Sequence, residues 1–207
     1  MKTRAILNIG VTGIFLVVVA TVTMIAVRGN APARLGRQLP VLGQVLDFAL
    51  TEAAGRPLRR ADLTGKVWIA SFLFTRCAEV CPAMMRQQVR LQKELPVRDD
   101  LWWVSFSVDP EYDTPAVLAQ YTGNFGVERS RWLLATGDKK QIYRLALDGF
   151  RLSTADADPE KEMPILHSSK LVLVDRRGSI RGYYDSTDDA ALGQLAIDAK
   201  RVLGERS

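Results

Sequence analysis

Two cysteines and one histidine are the residues of this 207-residue chain most able to bind a metal or exchange electrons. Cys77 and Cys81 lie in Phe74-Thr-Arg-Cys77-Ala-Glu-Val-Cys81-Pro82, and His167 lies in Met163-Pro-Ile-Leu-His167-Ser-Ser-Lys170. Spacing i, i+4 brings both thiols to one face of a helical turn, where they can close a disulfide or chelate a soft ion. A CxxC redox centre has one residue fewer, so this is a different device. A purely stabilising bridge over so short a loop would restrain little of the unfolded chain. Two unrelated buried thiols would leave their pairing unexplained. One His excludes HExxH proteases and three-histidine zinc sites, and two Cys exclude an all-cysteine zinc site and a disulfide-dense scaffold.

The elements that must position these residues follow from hydrophobic pattern and turn chemistry. Strands are expected at Val67–Phe74, Leu101–Val108, Trp132–Ala135, Lys170–Asp175 and Ile180–Tyr184, the first two reading as buried on both faces. Helices fit Pro82–Leu95, Thr114–Phe125, Asp138–Ala146 and Asp188–Leu203; Thr114-Pro115 is a cap followed by Pro at the first helical position. Val45–Phe48 and a Gly55-Arg56-Pro57 turn suggest a small leading hairpin, and Asp175-Arg-Arg-Gly178 a closing one. This alternation predicts an α/β, thioredoxin-like fold with an N-terminal β-hairpin addition.

In that fold the cysteines follow the first long strand at the carboxyl edge of the sheet, and the start of a helix there favours thiolates. Arg76 is expected to add to this and Glu79 to oppose it. The strand after His167 should run antiparallel to the one before Cys77, bringing its start to the same edge. Two thiolates and one imidazole suit Cu(I), or Cu(II) if an oxygen completes a square; zinc would want a fourth ligand. Asp109, in Ser107-Val-Asp109-Pro110, reaches that edge as a ligand, a partner of a ligand, or a helix cap. Met84 and Met85 could offer thioethers, although Met on a helix more often fills core.

The net charge of +5 does not point to nucleic acid: Lys2, Arg4 and Arg28 supply three of the five, and no basic run with interleaved aromatics follows. Residues 5–27 carry no charge, and as a helix they would span roughly 34 Å, enough for a bilayer core. The run is longer than a secretory h-region, so residues 1–28 are expected to be an uncleaved single-pass anchor. Residues 29–43, rich in Gly, Pro and Arg, then read as a linker, and 44–207 as one domain.

TRCAEVCP after a hydrophobic strand, SVDPEYDTP, YTGNFG, and a lone His before KLVLVDRRG resemble the Sco/SenC family of copper-binding assembly proteins. The resemblance runs from about residue 40 to the C-terminus. It implies a thioredoxin-like domain tethered to the bacterial inner membrane and facing the periplasm, binding one copper through Cys77, Cys81 and His167, with Asp109 an adjacent acid. It implies a role in metallating the binuclear copper centre of cytochrome oxidase. The partners would be a copper-receiving oxidase subunit or other cuproprotein, a copper donor and a thiol reductant. Two positions depart from the family pattern. Ala78 stands where Pro usually follows the first Cys, and Leu166 where Asp commonly precedes the His, removing a candidate partner for the imidazole.

A membrane-tethered thiol-disulfide oxidoreductase using Cys77 and Cys81 is the alternative, separated from a metallochaperone by whether His167 is needed. A peroxiredoxin-type peroxidase is disfavoured. Its PxxxTxxC pattern would need Pro and Thr where Ala70 and Phe74, or Phe74 and Ala78, stand.

Overall fold

The computed structural model describes residues 38–152 and 168–205. The expected anchor, most of the linker and His167 lie outside the described residues. Among the described residues no helix is long and apolar enough to cross a membrane.

Among the described residues eight strands form one sheet: β1 (Gly43–Gln44), β2 (Ala49–Glu52), β3 (Pro57–Arg59), β4 (Val67–Leu73), β5 (Leu101–Ser107), β6 (Trp132–Thr136), β7 (Lys170–Val174) and β8 (Ser179–Asp185). Their spatial order is β1-β8-β7-β4-β5-β6-β2-β3. β4, β5 and β6 are parallel, whereas β7 runs antiparallel to β4 with Ala70 opposite Val172. The helices are α1 (Val80–Glu94), α2 (Pro115–Gly123), α3 (Lys139–Arg144) and α4 (Asp189–Gly204). This is the mixed α/β arrangement that the alternation of elements predicts.

The centre is β4, buried at every residue from Val67 to Leu73 because strands flank it and both of its faces are covered. Alternation sends Trp68 and Phe72 to one face, where Phe106 of β5 stacks on Phe72 at 5.1 Å and Phe48 and Phe150 close the cluster. On the other face Ser71 and Ser105 would be costly in a buried strand if unpaired. They bond to each other at 2.8 Å, and Trp132 Nε1 donates to Ser105 at 2.9 Å. Met84 and Met85 are fully buried, as core-filling methionines should be.

The leading hairpin sits later than expected. Phe48 packs into the core, and the paired strands are β2 and β3 around a turn in which Gly55 adopts φ +79°. The chain joins the opposite edge of the sheet first, where the Leu42 N–H donates to Ile180 and β1 pairs with β8. The expected third helix also changes form: α3 gives way to a π turn at Leu145–Gly149. That turn carries the chain to the buried Phe150. At the closing hairpin Asp175 leaves the strand, and its Oδ1 accepts the N–H groups of Arg177 and Ser179, with Gly178 at φ +79°.

Candidate metal centre

The sheet delivers the cysteines to the carboxyl edge of β4. α1 begins at Val80, so Cys77 precedes the helix and Cys81 lies in its first turn, with Pro82 following. Glu79, at the cap position, makes no side-chain capping bond. Instead the Cys77 sulfur accepts the Cys81 N–H at 3.3 Å, satisfying one of the orphan donors of the helix start. Both thiols are free, Cys77 half-buried and Cys81 buried.

Their environments differ. Burial works against the Cys77 thiolate, but the Cys81 N–H, the Cys81 thiol and the N–H groups of Glu79 and Val80 outweigh it, and the pKa is lowered. Burial dominates at Cys81, with the Phe74 backbone only partly offsetting it, and pushes its thiol up to about 12. Cys77 is therefore the ready nucleophile. In the metal-free reduced protein at pH 7.5, iodoacetamide should modify Cys77 at least ~100-fold faster than Cys81, read by peptide mass mapping. Equal rates at the two sulfurs would contradict this asymmetry.

Arg76 does not supply the expected help. Its Nε and Nη2 donate to Asp109 Oδ2 at 3.0 and 2.6 Å, and its guanidinium lies 4.5 Å from the centre of the Tyr112 ring. The side chain is thus paired with a carboxylate buried just after β5, and Arg76 is not among the groups that lower the Cys77 pKa. Asp109 is not a helix cap either. Thr114 caps α2, accepting the Val117 N–H at 3.3 Å, and the Asp109 carboxylate meets the cysteine loop through Arg76.

Two further residues shape the site and were not singled out by the sequence. Asp113, fully buried, accepts hydrogen bonds from the Thr75 N–H at 3.1 Å, from the Thr75 hydroxyl and from the Ser107 hydroxyl at 2.5 Å. The only signal in the sequence was its place in SVDPEYDTP, where it looks like one more loop acid. Tyr121 on α2 has a buried hydroxyl with no partner among the described residues. Its pKa is raised by burial and then by the charges of Cys81 and Cys77, which places the phenol in their field.

His167 lies outside the described residues. The chain re-enters at Ser168, whose hydroxyl accepts the Lys170 N–H at 3.2 Å, and β7 starts at Lys170. Since β7 is antiparallel to β4, that start lies at the edge where β4 ends, as the topological argument required. Among the described residues no three His, Cys, Asp or Glu side chains converge to hold a metal ion. The fit to copper therefore rests on the two free sulfurs. They offer soft donors at one helix start, and further ligands must come from elsewhere in the chain or from solvent.

A half-exposed thiol just before a helix and a buried one in its first turn, at the carboxyl edge of a thioredoxin-like sheet, define a class of proteins that handle metal or disulfides. The SCO1/SenC family model matches residues 42–202, and the chain belongs to that family. The SCO1 protein homolog of Bacillus subtilis is 31% identical over 169 residues, covering 80% of this chain and 86% of that one. A Stutzerimonas stutzeri protein named for copper binding is 29% identical over 147 residues, covering 70% and 71%. Among solved structures, a SCO1/SenC family lipoprotein from Bacillus anthracis aligns with a TM-score of 0.69 at 30% identity, covering 79% of this chain and 97% of that one. BsSco, described as having a disulfide switch and as a member of the Sco family of cytochrome c oxidase assembly proteins, aligns at 0.70 and 27% identity, covering 82% and 99%.

Proposed function

We propose that this chain is a membrane-tethered copper metallochaperone. Cys77, Cys81 and His167 hold one copper ion as cargo for the copper centre of a cytochrome oxidase or another cuproprotein. The observation that carries the reading is the pair of free sulfurs at the start of α1, the accessible one just before the helix and the buried one in its first turn, at the sheet edge where β7 begins. Membership of a family with relatives named for copper binding and for cytochrome c oxidase assembly supports it. Tethering is supported by the uncharged run 5–27 and by a relative described as a lipoprotein. The domain would face the periplasm from the bacterial inner membrane, where a donor supplies copper and a thiol reductant keeps the cysteines reduced.

The reduced full chain should take up one tight equivalent of Cu(I) in an anaerobic titration against a chromogenic competitor. His167→Ala should weaken it by at least the 10–100-fold typical of losing even an outer partner of a ligand. Unchanged binding in His167→Ala would remove the histidine from the site.

The asymmetry of the thiols favours a second reading, a thiol-disulfide oxidoreductase in which Cys77 attacks and Cys81 resolves. In that case His167→Ala leaves the rate of client disulfide reduction intact, and the dithiol potential becomes the property that matters.

A further inference from the structure

Two carboxylates of the β5–α2 loop meet the cysteine loop, and their charges are balanced differently. Asp109 is matched by the Arg76 guanidinium at 2.6 Å. Asp113 is fully buried, and among the described residues no Lys or Arg forms an ion pair with it. The Thr75 N–H, the Thr75 hydroxyl and the Ser107 hydroxyl all point at it. In each of these bonds Asp113 is the acceptor, and every donor is neutral. Arg76, already paired with Asp109, feels the charge of Asp113 only through space and without a direct ion pair. That charge is felt at Cys81 and at Tyr121, among the influences that raise both.

We infer that the Asp113 carboxylate sets the oxidation-state preference of copper held at Cys77 and Cys81, favouring the cupric over the cuprous ion. The inference rests on the copper reading above. Two thiolates carry a net charge of −1 with Cu(I) and zero with Cu(II), and a neutral imidazole changes neither. A fixed negative charge beside the site therefore penalises the cuprous complex more, and burial strengthens the penalty by keeping water out. Asp113 also anchors the cysteine loop to the sheet. It pins both the backbone and the hydroxyl of Thr75, two residues ahead of Cys77, to Ser107 at the end of β5. It is thus a positioning residue with a field, which Arg76 meets only through space, whereas Asp109 is paired with Arg76 directly.

The test uses the full chain and its Asp113→Asn and Arg76→Gln variants, each loaded with copper. The ratio of Cu(I) to Cu(II) affinity is read from a potentiometric titration followed through the sulfur-to-copper absorption band. Asp113→Asn should raise that ratio roughly tenfold, the order expected for removing one buried charge at close range. Arg76→Gln, which removes a cation that lies in the field of both Asp109 and Asp113, should lower it. In the metal-free proteins, hydrogen exchange at the Thr75 amide should speed up in Asp113→Asn and stay unchanged in Arg76→Gln. If Asp113→Asn does not fold, the Arg76→Gln arm decides by its sign. An unchanged ratio in proteins that all bind copper, or a shift of Arg76→Gln toward Cu(I), overturns this inference alone. No uptake of either ion by the unmodified chain overturns the copper reading and this inference with it.

Discussion

A chain carrying Cys81→Ser should bind Cu(I) about a thousandfold or more weakly than the unmodified protein in a competitor titration, because a hard hydroxyl replaces a soft thiolate. The buried position of Cys81 makes the loss uncompensated: it sits under the helix start, where solvent cannot supply a substitute donor. The same burial gives the unmodified protein a pH dependence of definite sign. With the Cys81 thiol pushed up to about 12, it carries its proton across the neutral range, and copper held there as proposed would have to expel that proton. Raising the pH makes expulsion easier, so apparent affinity should climb by about tenfold per pH unit from this thiol alone, and fall equally as pH drops. Cys77, whose pKa is lowered, contributes a shallower slope. In Cys81→Ser the Cys81 part of the slope disappears. Equal affinity, or an equal slope, in the two proteins would place the metal elsewhere.

Phe106→Ala should cost about 4 kcal/mol of stability, measured as a lower urea midpoint at unchanged slope. Phe106 is fully buried, and its ring lies within 5.1–6.4 Å of Phe48, Trp68, Phe72 and Phe150. These five rings come from the leading segment, β4, β5 and the residue after the π turn, so no single neighbour can move in to refill the space. A cost below about 1.5 kcal/mol would mean that the cluster collapses readily, contrary to close packing. A loss of this size leaves the cysteine loop on a loosened β4, so copper binding in this variant should be compared at a temperature where it remains folded.

The central strands and the start of α1 were legible in the sequence because their signals are local. Val67–Leu73 is apolar without a break, as a strand buried on both faces must be. Thr114-Pro115 and Cys81-Pro82 mark helix starts by what Pro allows at a first turn; α2 begins at Pro115 as expected, and α1 begins at Val80, two residues ahead of the expected Pro82. The antiparallel return of β7 to the cysteine edge also followed from the order of elements alone. The leading hairpin was misplaced by a few residues because Val45 and Phe48 are apolar for the sake of the core and not for a strand. Sequence spacing does not separate those two reasons.

Side-chain partners across the loops were decided only by tertiary structure. Arg76 beside Cys77 reads as a thiolate-stabilising charge until the fold offers it Asp109 and the Tyr112 ring, 33 and 36 residues away. Asp113 reads as a solvated loop acid until Thr75 and Ser107 close over it. A charged side chain settles where the fold supplies the best counter-charge or donors, and those come from residues that only the sheet brings together. The sequence by itself determined the central strands and the helix start that holds the two sulfurs, because backbone propensity and burial pattern are written residue by residue. The electrostatic setting of those sulfurs was decided by the packed loops, because charge acts through space.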